Sequence, residues 1–132
     1  MANNIQRTLL AKDQYAKHHN IIPHLDTPWW LKTDAPNNTY LCGVNQNDSR
    51  KILYYSPKCS YVGVRPVLTM SINSFKTFHV GNSIIIGSKT FTVLKATANA
   101  LQTDLLLLCN DNIATRKFDP KSTNWETSEL KD

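Results

Sequence analysis

Cysteine, glycine and long apolar runs are all scarce in this chain. The three cysteines, Cys42, Cys59 and Cys109, are odd in number and lack paired CxxC spacing, which argues against a disulfide framework or a zinc site and fits a reducing compartment. Only 4 Gly and 6 Pro in 132 residues exclude a collagen-like or low-complexity chain. No apolar run approaches the ~20 residues of a membrane-spanning helix, and Met1 to Arg7 lack the basic-then-apolar order of a secretion signal. Neither membrane association nor export is therefore expected. Acidic residues are the scarcer charge, 10 against 15 basic ones. Residues 1 to 70 hold most of the surplus, which weakly favours acidic partners.

What is present suits one folded domain over residues 1–132, with 41% apolar and 19% charged residues. Residues 9 to 19 carry helical spacing, with Tyr15 and His19 on one face. Pro23 and Pro28 stop that helix, and Trp29-Trp30-Leu31 follows as a segment suited to burial. Thr39 to Asn45 and Arg50 to Ser56 read as a hairpin around the polar loop 46–49. Tyr61 to Met70 is rich in β-formers, but Pro66 cannot donate to a ladder, so the strand is an edge or breaks there. Ser83 to Ile86 and Phe91 to Leu94 flank a turn at Gly87-Ser88-Lys89. Leu105 to Cys109 reads as a central strand covered on both faces. Thr123 to Glu126 has capping-box spacing and predicts a closing helix.

Trp29-Trp30-Leu31-Lys32-Thr33, followed after the hairpin by Gly63-Val64-Arg65-Pro66-Val67-Leu68, resembles a bacterial and phage domain of unknown function grouped with C-type-lectin-like and formylglycine-generating-enzyme-like folds. Leu9 to Tyr15 resembles the short helix before that family's double tryptophan. Lys32, Thr33 and Ala11 stand where the family carries Arg, Ser and Ser. Phe91 to Leu94, Leu105 to Leu108 and Asn124 to Leu130 are similar to the family's opening segments, yet here they come last. The resemblance thus implies an α+β, C-type-lectin-like fold of small antiparallel sheets with two short helices, in circularly permuted order, residues 71 to 82 being a joining loop. It further implies a phage or mobile-element protein located in the host cytoplasm or the virion.

Arg65 lies in an apolar strand and needs either a carboxylate, such as Asp34 or Glu126, or several carbonyls. Trp29, Trp30 and Trp125 read as core, with a sugar-stacking platform as the competing use. His18, His19 and His24 with Asp26 have poor spacing for a metal, and Asn110-Asp111-Asn112 lacks the companion loop of a calcium site. No cysteine sits in a recognisable catalytic pattern, and Glu126 with Glu129 suits a helix dipole. Neither an enzyme nor a cofactor is expected. The hairpin region interleaves Lys32, Arg50, Lys51 and Lys58 with Tyr40, Tyr54, Tyr55 and Tyr61. Rings that stack beside cations that neutralise can recognise a macromolecule. A protein partner, a virion subunit or a host factor, is the leading expectation; nucleic acid and glycan are the alternatives.

Overall fold

The computed structural model describes residues 3–36, 39–72, 77–99 and 101–118. Trp125 and the closing helix expected from Thr123 onward lie outside them.

The apolar run of β9 (Thr103–Cys109) needs cover on both faces, and it takes the middle of a five-stranded antiparallel sheet. Its neighbours are β6 (Val67–Ile72), with β1 (Asn3–Thr8) beyond, and β8 (Lys89–Ala98), with β7 (Ser83–Ile86) beyond. A second five-stranded sheet has the order β10 (Ala114–Thr115), β5 (Gly63–Val64), β2 (Trp29–Asp34), β3 (Leu41–Val44), β4 (Ile52–Tyr55). Its pairings are antiparallel except that of β2 with β5. The architecture is mixed α+β with one short helix, α1 (Lys12–His18), and a 3-10 turn at His19–Ile21 among the described residues.

Strand alternation sorts the core into layers. Leu106, Leu108, Val67 and Leu94 from the first sheet meet Trp29, Leu31, Cys42 and Val44 from the second, with Leu10, Tyr15 and Ile22 of the α1 region between them. Leu105, Leu107, Cys109, Phe91 and Val93 form the other face of the first sheet. A register shift between Val93 and Lys95 makes this division: Leu94, the extra residue, turns inward while Val93 stays outward. Val67, Ile85 and Val93 belong to one sheet, and Val67 shares the inner core with segments from both halves of the chain.

One strand was not expected, and two expectations are corrected. Asn3–Thr8, too polar in sequence to show a strand pattern, form edge strand β1 by backbone pairing along β6. Ser71 and Ile72 are not joining loop, because they continue β6 opposite Asp104 and Thr103. The helix begins only at Lys12, since Leu9 and Leu10 are drawn into opposite core clusters. Ala11 has no side chain to cap it, so its own N–H is taken by Gln14 Oε1 at 2.9 Å and the Lys12 N–H by Thr33 Oγ1 of β2, also at 2.9 Å.

Of the two readings at Pro66, edge strand or break, the structure has the break, as a change of sheet: β5 ends at Val64 in one and β6 begins at Val67 in the other, neither at an edge. Arg65, at the crossing, is fully buried. Its Nε donates to the Cys109 carbonyl at 2.6 Å, and its Nη2 to the carbonyls of Pro23 (2.9 Å) and Asn110 (3.2 Å). Asp34 is not its partner, because the side chain meets the backbone carbonyls at the end of β9 and at Pro23 instead. Burial lowers its pKa to about 10, opposed by Cys109, Asp111 and Tyr15.

Candidate functional site

The β3–β4 hairpin is closed by a loop that satisfies itself. Asp48 Oδ1 accepts the Arg50 N–H at 2.8 Å, and the same carboxylate meets the Arg50 guanidinium at 3.2 Å, which holds the Asp48 carboxyl below its usual range. Lys51 adopts φ 63°, a left-handed conformation unusual for a residue with a side chain. Its N–H donates to the Asp48 carbonyl, its carbonyl accepts from Asn45, and its ammonium donates to the Gln46 carbonyl at 2.6 Å. Gln46 is buried, and its Oε1 accepts the Leu25 N–H at 2.8 Å, fastening the hairpin tip to the segment after α1. His24 Nε2, 3.0 Å from Asn47 Oδ1 and 3.2 Å from Asp26 Oδ1, serves the same junction.

Beyond the loop, the pleat of β4 separates two adjacent tyrosines. Tyr54 is 50% exposed, whereas Tyr55 points to the other face and is buried. Tyr55 is the middle of an aromatic ladder. Phe118 and Trp30 lie 5.7 Å apart between ring centroids, Trp30 and Tyr55 6.1 Å, and Tyr55 and Tyr61 6.2 Å, all edge-on. The ladder runs from the core to Tyr61, which is 61% exposed. Burial raises the Tyr55 phenol, and a hydrogen bond with Cys59 raises that of Tyr61, so both are neutral hydroxyls at ordinary pH. Gly43 permits this packing, since a Cβ there would stand 2.7 Å from the Tyr55 ring.

The eight residues expected on this surface therefore divide. Tyr40, Arg50, Lys51, Tyr54, Lys58 and Tyr61 are exposed. Tyr55 is instead a core residue beneath Tyr61. Lys32 is half-buried and donates to Thr8 Oγ1 at 3.2 Å, because β2 is an interior strand. Trp29 and Trp30 are fully buried and offer no face to a sugar; Trp30 Nε1 donates to the Arg116 carbonyl at 2.7 Å. Asn110 accepts from the Thr92 hydroxyl and Asn112 donates to Thr27, so both serve the fold. Among the described residues, no three His, Cys, Asp or Glu side chains converge on a metal position, and no helix is long and apolar enough to cross a membrane.

Sequence reasoning missed a cleft of about 810 Å³ on the inner face of the first sheet. Thr69, Ser71, Thr97 and Asp104 line it, and Asp104 accepts from Ser71 Oγ at 2.7 Å and Gln102 Nε2 at 2.6 Å. Those bonds hold its carboxyl below the usual range. The signal was there: polar residues at alternate positions in strands whose other ends are apolar.

Compared with protein-family models, curated proteins and solved structures, the chain matches none.

Proposed function

We propose that this chain is a non-catalytic binding module that engages a protein partner through the exposed part of the 32–61 surface, as a phage or mobile-element protein acting in the virion or on a host factor. The observation that carries the reading is the aromatic and cationic rim of the second sheet. Tyr54 stands on the outermost strand, Tyr61 is held rigidly by the ladder beneath it, and Arg50, Lys51 and Lys58 lie close by in sequence. Rigid aromatic rings lose little side-chain entropy on binding, and with cations they form the usual anchors of a protein interface. A lectin-like scaffold in permuted order is part of this proposal, supported by the residue resemblances and by the place of Val67 and Val93 in one sheet.

The test is a pull-down from the native host with the wild-type chain, Lys51→Glu and Tyr54→Ala. A partner retained by the wild type and weakened by both variants supports the reading; equal affinity in all three refutes this surface. Isolation from purified virions places the role there, and co-purification with one host complex places it on a host factor.

The same cations and rings favour single-stranded nucleic acid as a second reading. Phosphate binding requires retention that falls steeply as salt rises, so salt-insensitive binding rejects it. A glycan reading loses its motivating pair with the burial of Trp29 and Trp30.

A further inference from the structure

Among the described residues the two sheets have four outer strands, and three of them carry features that discourage pairing with another chain. β1 contains Arg7; β10 is only two residues long and runs into Arg116-Lys117; β4 follows Arg50-Lys51 and is closed by Pro57. The remaining one, β7, has none of these. From Val80 to Ser88 the sequence contains no charge and no proline, and the β7–β8 register runs without a bulge. Ile85 in its middle is 74% exposed.

Hydrogen-bond alternation identifies the open groups. Gly87-Ser88 forms a two-residue turn between the paired residues Ile86 and Lys89, and Asn82 accepts from Val93 at the other end. In an antiparallel ladder alternate residues bond to one neighbour. Ile84 and Ile86 thus turn their backbone groups to β8, while Ser83 and Ile85 turn theirs outward, where nothing among the described residues meets them.

We propose that β7 pairs antiparallel with β7 of a second copy of this chain, Ser83 of each facing Ile85 of the other. In this register both pairs exchange their two backbone bonds, so every outward N–H and C=O of the two strands is used. The two-fold axis passes between the Ile84 residues, whose side chains continue the apolar face of Phe91 and Val93 across the junction. The strand is complementary to itself, since it carries no charge and this register meets both of its open backbone pairs. Each chain carries a formal net charge of +5, and the uncharged edge is where two such chains meet with least repulsion. Four residues of edge bury less than the ~1,200 Å² of a tight interface, so the dimer dissociates on dilution.

The experiment is sedimentation equilibrium of the full chain over a concentration series, with Ile85→Lys and Ser83→Pro as variants. The apparent mass should rise from 15.0 kDa toward twice that value as concentration increases. Ile85→Lys should weaken association at least about tenfold, with an unchanged far-UV circular dichroism spectrum. Ser83→Pro removes an outward N–H while sparing the bonds to β8, and should do the same. Amide exchange at Ser83 and Ile85 should slow with concentration. A mass of 15.0 kDa at every soluble concentration, or an Ile85→Lys dimer as stable as the wild type, overturns the proposal. β7 belongs to the sheet that does not carry Tyr54 and Lys51, so this outcome is independent of the partner-binding surface.

Discussion

The guanidinium carbon of Arg65 lies 4.8 Å from the centroid of the Trp29 ring. The cation at the crossing between sheets thus has an indole face on one side and backbone carbonyls at its rim, an environment that replaces a carboxylate partner. It joins the end of β9 to the segment leading into β2.

Loss of that group should be among the most damaging single changes. Arg65→Ala leaves the carbonyls of Cys109, Pro23 and Asn110 without their donor, and we expect a loss of about 3–5 kcal/mol in urea unfolding. Arg65→Lys should recover only part of it, because an ammonium lacks the planar fork that reaches separate carbonyls while stacking. Equal stability of Arg65→Lys and wild type would contradict this account.

Gly43→Ala should cost about 1–3 kcal/mol. The new methyl meets the Tyr55 ring at 2.7 Å and the Trp29 carbonyl at 3.2 Å, and the ring is held by Trp30 and Tyr61. A changed near-UV circular dichroism spectrum should accompany the loss, since the displaced ring belongs to the aromatic ladder.

Thr33→Val preserves shape but removes the acceptor of the Lys12 N–H. The expected cost is about 1 kcal/mol, that of a lost helix cap, read as a shift of the denaturation midpoint without change in slope.

Acid stability should fall in two stages. Burial, followed by Lys17 and Lys95, lowers the His18 pKa from 6.5. The unfolded chain therefore binds more protons than the folded one just below pH 6.5, and stability present above that pH declines as pH falls through the folded value. Asp104, held low by Ser71 and Gln102, and Asp48, held low by Arg50, act the same way below 3.8. Thermal melts from pH 8 to pH 2, a span of roughly two units beyond these windows, should show His18→Gln flattening the upper stage and Asp104→Asn the lower.

Elements with a strong local pattern are legible in the sequence. The apolar run 105–109 marked the central strand, Pro66 marked an edge or a break, of which the structure has the break, and Gly87-Ser88-Lys89 marked the second hairpin, whose strand β8 already includes Lys89. β1 was not legible, because an edge strand held by backbone pairing needs no apolar alternation. Of the candidate surface, the residue types were readable but their sides were not: Tyr54 and Tyr55 are chemically alike, and only the register of β4 against β3 sends one to solvent and the other beneath Tyr61.

The amino-acid order alone determined a foldable, weakly basic chain, mixed in class, with interior strands where apolar residues run unbroken. The tertiary structure alone decided that Arg65 is served by carbonyls, that Thr33 caps a distant helix, and that β7 is left open among the described residues. Local pattern follows from solvation and backbone geometry within a few residues. Which distant groups satisfy a buried donor, and which edge stays unpaired, depends on where the whole chain places its backbone.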